Sequence, residues 1–131
     1  MKKNLLILRF FTALSLLPIS TIGAFADPLV IEMPNEIKPT SQAIAYLCDT
    51  GKTKEKVTAT YLNADAISLV DFTWKNERVI GANVLAASGA KYAGAQYIWW
   101  MDKDDVTLYD LINDPKEENP IHCSKDTTLL F

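Results

Sequence analysis

Few side chains in this 131-residue sequence have the types and spacing needed for chemistry. Ser88, in Ala86-Ala87-Ser88-Gly89, is the candidate nucleophile, and an activated serine needs a base within hydrogen-bonding reach. The sole histidine, His122, sits instead beside Cys123 in what reads as the last strand, and the segment lacks the first glycine of a nucleophile elbow. Asp102, Asp104 and Asp105 could in principle work as a carboxylate pair on a glycoside. They crowd one short turn, a pattern that ordinarily gives a solvated acidic corner. Cys48, Cys123 and His122 are too few for a zinc site. There is no phosphate-cradling glycine loop and no dinucleotide fingerprint. These residues predict no catalytic centre, no metal and no cofactor, and therefore a binding protein. What remains is ASGAKYAGAQYIWW, residues 87–100, where small residues with one hydroxyl precede a strand ending in two tryptophans. It is either a tight turn with a core tyrosine or a loop held out to touch a partner.

The elements that would position such a loop follow from patterning. Residues 1–26 read as a secretory signal: Lys2, Lys3 and Arg9 give the basic start, an apolar run follows, and Ala24-Phe25-Ala26 is a small-x-small cleavage site. No cysteine follows that run, so the expected product is soluble and periplasmic, neither a lipoprotein nor otherwise held at a membrane. The segment after Ala26 holds 10 basic and 16 acidic residues, a net charge of −6. That balance excludes nucleic acid, which needs a basic face, and suits a cationic partner. Pro28, Pro34 and Pro39 make residues 27–41 an extended lead-in to a domain over 42–131. Beyond it apolar residues alternate in short runs: Ile44 to Cys48, Val57 to Tyr61, Ile67 to Phe72, Val79 to Leu85 with a bend at Gly81, Tyr97 to Met101, Val106 to Tyr109 and Ile121 to Cys123. No stretch keeps a helical period. The expected fold is all-β, a small antiparallel barrel or sandwich. In an oxidising compartment Cys48 and Cys123 are expected to pair, closing a 75-residue loop.

The order Tyr46-Leu47-Cys48-Asp49, Ser88-Gly89-Ala90-Lys91-Tyr92, Tyr97-Ile98-Trp99-Trp100 and a late Cys123 resembles the periplasmic and membrane-bound inhibitors of c-type lysozyme. Their SGxxY hallmark is met by Ser88, Gly89 and Tyr92, and the likeness runs over about residues 44–124. It implies a closed antiparallel barrel of about eight strands tied by Cys48 and Cys123. It also implies a c-type lysozyme, a basic host protein, as partner, bound by a monomer or dimer. Ser88 and Tyr92 would enter the lysozyme cleft, the serine placed to hydrogen-bond the catalytic carboxylates, with a basic residue from a second loop adding charge. That second motif usually reads Trp, one residue, then Lys-Gly-Asp. Here Asp102 stands where the lysine aligns and Lys103 takes the glycine's place. Lys103 or Lys91 is then expected to supply the charge. By the same likeness Trp100 is the structural tryptophan, leaving Trp99 the more exposed. The rival reading, prompted by Asp102, is a periplasmic barrel that binds a small ligand or cell-wall saccharide without inhibiting lysozyme.

Overall fold

The structure, a computed structural model, describes residues 23–33 and 37–128. Most of the expected export signal therefore lies outside the described residues. Residues 23–31 carry no regular secondary structure. All strands belong to the unit Glu32–Phe131.

Eight strands follow one another: β1 (Thr40–Asp49), β2 (Lys54–Ala64), β3 (Ile67–Trp74), β4 (Glu77–Val84), β5 (Ala90–Gly94), β6 (Tyr97–Asp102), β7 (Asp105–Asp110) and β8 (Ile121–Lys125). Each pairs antiparallel with the next and β8 returns to β1, so the sheet closes into an up-and-down barrel, with no α-helix among the described residues. Closure removes the free sheet edges that a small domain would otherwise have to protect. Strand β1 starts at Thr40, slightly inside the expected lead-in.

Period-two alternation sets which side chains point inward. Tyr46 and Cys48, Val57 to Tyr61, Val70 to Trp74, Tyr97 and Trp99, and Val106 and Leu108 are buried on alternate positions. Trp99 is the hub. Its ring lies 4.4 Å from Phe72 and 5.6 Å from Tyr46, centroid to centroid. Its indole Nε1–H donates to the Tyr61 hydroxyl at 3.0 Å, and the Tyr61 and Tyr46 hydroxyls are bonded at 2.9 Å. The polar ends of three large rings thus satisfy one another inside the barrel, as buried donors require. Burial pushes both phenols above their ordinary range, so they remain neutral donors.

Tight connections join most strands, and several hold non-glycine residues at positive φ: Asp65, Lys75, Asn76, Ala95 and Lys103. Lys75-Asn76, with φ of 48° and 64°, has the dihedral signs of a type I′ hairpin. The long β7–β8 connection is organised by Asp110. Its carboxylate accepts from Gln96 Nε2, from the Ile112 and Asn113 backbone N–H groups and from Asn113 Nδ2. Burial alone would raise the Asp110 pKa; these donors outweigh it and lower the value. The sign follows: Asp110 stabilises the fold above the ordinary carboxylate range and loses that contribution as pH falls through its lowered pKa.

The one strand that patterning missed is β5. Residues 87–96 read as a loop because Ala, Gly and Lys surround a single large residue, Tyr92. The structure puts Ala90–Gly94 in the sheet between β4 and β6. Gly81 is held in the sheet, paired with Val70 of β3. It lies within β4, where a Cβ would sit 3.1 Å from Tyr92 Cβ and 3.2 Å from Val70 Cγ1. Its missing side chain makes room for the inward Tyr92. Cys48 and Cys123 face each other across the β1–β8 seam and are disulfide-bonded.

Candidate functional site

In an up-and-down barrel, connections alternate between the two ends. The β2–β3 turn, the β4–β5 loop (85–89) and the β6–β7 turn (Lys103-Asp104) therefore share one rim, and the SGxxY loop lies on it with Lys103.

Two contacts fix the loop's position. Gly89 has φ +65°, and a Cβ there would run into the Met101 carbonyl oxygen, with Asp102 Cα at 3.5 Å. The loop therefore presses backbone against backbone on the end of β6, which only glycine permits. Trp100 supplies the other contact. Its indole Nε1–H donates to the Ser88 carbonyl oxygen at 2.9 Å, which leaves the exposed Ser88 side chain turned to solvent on a tethered backbone. Strand register explains the reach: Lys91 pairs with Trp100 and Ala90 with Met101, so the outward Trp100 ring lies under the loop as it enters β5.

The structure separates the expected site residues. Ser88 and Gly89 are exposed at the rim, as is Lys103, whose φ of 56° is the left-handed conformation that favours glycine. Lys91 is half-buried, its ammonium 4.8 Å from the centroid of the Trp100 ring. A cation held over an aromatic face is partly committed there, which leaves Lys103 as the freer charge. Tyr92 does not stand out from the loop. It is a strand residue, 4% exposed, packed 5.9 Å from the Tyr61 ring. Ser68 Oγ donates to Asn63 Oδ1 at 2.6 Å and lies 3.2 Å from the Tyr92 hydroxyl. With the serine proton so used, the Tyr92 hydroxyl is the donor between them. The two tryptophans also exchange the roles expected of them. Trp99 is 1% exposed at the core, and Trp100 is the surface residue beside the loop. Trp100 as the loop's tether went unread because adjacent tryptophans on a strand do not reveal which face is inward until register is known.

The rim around Lys103 is acidic, with Asp102, Asp104 and Asp105 exposed beside it and Lys125 within 3.6 Å of Asp104. Among the described residues no cluster of histidine, cysteine or carboxylate could hold a metal. A surface depression of about 470 Å³ lies near the opposite end of the barrel, lined by Glu55, Lys56, Val57, Thr58, Thr73, Lys75 and Asn76. It offers no aromatic platform.

Fold and rim together define a small disulfide-linked β-barrel whose distinctive surface is a rigidly tethered, hydroxyl-bearing loop. The family described as MliC, membrane-bound lysozyme-inhibitor of c-type lysozyme, matches residues 46–117. The chain belongs to that family. It is similar to the membrane-bound lysozyme inhibitor of C-type lysozyme from Pseudomonas aeruginosa, 36% identical over 81 residues, 60% of this chain and 61% of that protein. It is similar also to the protein of the same name from Cupriavidus necator, 33% identical over 97 residues, 72% of this chain and 75% of that protein. The chain thus spans less than two thirds of the length of the first of these relatives. Among solved structures, Pseudomonas aeruginosa MliC in complex with hen egg white lysozyme superposes with a TM-score of 0.62 at 30% identity, covering 78% of this chain and 99% of that one.

Proposed function

We propose that this protein inhibits c-type lysozyme by occluding its active-site cleft with the β4–β5 loop, protecting peptidoglycan in the periplasm. The observation that carries the reading is the tethering of Ser88. Gly89 is fitted against Met101 and Trp100 holds the Ser88 carbonyl, so the exposed hydroxyl is presented at little further entropic cost. Lysozyme hydrolyses glycosides with two carboxylates in its cleft. A neutral hydroxyl can donate to such a group without bringing a charge of its own to be desolvated, and hydrogen bonds to charged acceptors are the stronger kind. Lys103, beside the loop, adds a cation near the same carboxylates. The acidic surface, net −6 after the leader, steers the inhibitor toward a basic enzyme. Tyr92 works from inside the barrel, fixing the start of β5 and with it the loop, and needs no contact with the enzyme. Membership of the MliC family and the lysozyme complex of the Pseudomonas aeruginosa relative support the reading. The saccharide-binding alternative has less behind it, since the depression of about 470 Å³ is shallowly polar and lies away from the rim loop.

Ser88→Ala deletes the hydroxyl and leaves the backbone tether in place. The expected loss of inhibition corresponds to about 1.5–3 kcal/mol, or roughly tenfold to a hundredfold in inhibition constant, at unchanged melting temperature. The check is a lysozyme turnover assay titrated with wild type and variant. Equal inhibition by the two would remove the serine from the mechanism.

A further inference from the structure

Leu85 stands three residues before Ser88 and is 97% exposed, more than any other large apolar side chain described in the barrel. A single exposed leucine is ordinary, but this one is not alone. Val84, the last residue of β4, is 38% exposed, and Ala86 and Ala87 complete a run of four apolar residues that leads into a β4–β5 loop carrying no charge. Such runs on a surface are a fault unless they serve contact. Ile67, at the start of β3, is 36% exposed. It lies two residues beyond the Leu69–Ala82 pair on its strand, as Val84 does on β4, so it flanks the same shoulder. The shoulder contributes nothing to the barrel core: Leu85 packs on almost nothing.

We propose that Leu85, with Val84 and Ile67 behind it, is a second contact point for the enzyme, an apolar shoulder that seats on the cleft wall as Ser88 reaches the carboxylates. This rests on the inhibitory reading above. The physical case is that a hydroxyl–carboxylate bond gains strength only when water is kept away from it, and interfaces achieve this with an apolar collar around the polar centre. The Ser88 tip has Trp100 and Met101 on one side. Leu85 supplies apolar area on the loop's other arm. The partner chemistry follows: an apolar lip bordering a carboxylate-bearing cleft.

Because Leu85 is almost fully exposed, its replacement tests binding without disturbing the fold. Purified protein carrying Leu85→Ala, Leu85→Asp or, as a control at the opposite end of the barrel, Ile112→Ala (Ile112 is 69% exposed) is titrated against hen egg white lysozyme at low and high salt. Leu85→Ala should raise the inhibition constant about tenfold and Leu85→Asp up to about a hundredfold. Melting temperatures should be unchanged, the Leu85→Ala ratio to wild type should be the same at both salts, and Ile112→Ala should match wild type. Leu85 variants that inhibit like wild type, while Ser88→Ala does not, overturn the shoulder and leave the inhibitory reading standing. Leu85 variants that change oligomeric state with inhibition intact overturn it too, assigning the leucine to self-contact. A wild type that fails to inhibit removes the parent reading and this one with it.

Discussion

Gly89→Ala should cost more inhibition than deleting the serine hydroxyl itself, a loss of a hundredfold or more. Two effects act together. Alanine at φ +65° is strained by about 1–2 kcal/mol, and its methyl would meet the carbonyl oxygen of Met101, a backbone atom held in the β6 ladder that cannot swing aside. The loop must lift off the end of β6, breaking or stretching the Trp100–Ser88 tether. Ser88→Ala loses one hydrogen bond from a correctly placed loop. Gly89→Ala misplaces the serine together with every contact the loop makes. The barrel should survive, because the strain can be released at the rim, so about 1–3 kcal/mol of stability is lost. Lysozyme titration and thermal melting of the same sample separate the two effects. Inhibition within about threefold of wild type, with the fold retained, would show that loop placement is not what the activity depends on.

The second large effect is on the fold. Strands β1 and β2 pair over ten residues each, whereas β1 and β8 close the barrel through only four pairs, one of them Cys48 with Cys123. The disulfide therefore ties one of the shorter seams and removes the entropy of a 75-residue loop from the unfolded chain, worth roughly 4 kcal/mol on the chain-entropy account. Reduction, or the double variant Cys48→Ala/Cys123→Ala, should lower the melting temperature by roughly 15–30 °C. Melting scans with and without reductant measure this directly. A drop of under about 5 °C would mean that the β7–β8 and β1–β2 ladders hold the seam unaided. The dependence also fits an oxidising compartment, where such a bridge persists.

How much of this was legible in the sequence differs from residue to residue. Alternation showed that residues 57–61, 67–72 and 106–109 are strands, but in β3 apolar residues stand on both faces (Ile67 and Leu69 against Val70 and Phe72), so which face turns inward had to come from the structure. Alternation failed at Ala90–Gly94, where the inward side chains are small except for Tyr92, so the pattern is too sparse to distinguish a strand from a loop. The misplacement of Tyr92 followed from that, and so did the failure to see that Gly81 leaves room for the Tyr92 Cβ. Composition and family likeness both pointed to the Cys48–Cys123 bridge. The rim pairing of the Ser88 loop with Lys103 came from the family likeness alone, because with β5 unread the two connections fall at opposite ends of the barrel. The Trp100 tether was not, because it depends on register, as does the partial commitment of Lys91 to the Trp100 face. The exposure of Leu85 was likewise hidden: as the last residue of an apolar run it read as the end of a strand.

Titration of lysozyme turnover with the purified, oxidised protein puts the central claim to its most direct test. A small barrel presenting a preorganised hydroxyl should bring hen egg white lysozyme activity down to a saturating floor as inhibitor is added in excess. Full turnover at large molar excess, with the disulfide formed and the barrel folded, would contradict it.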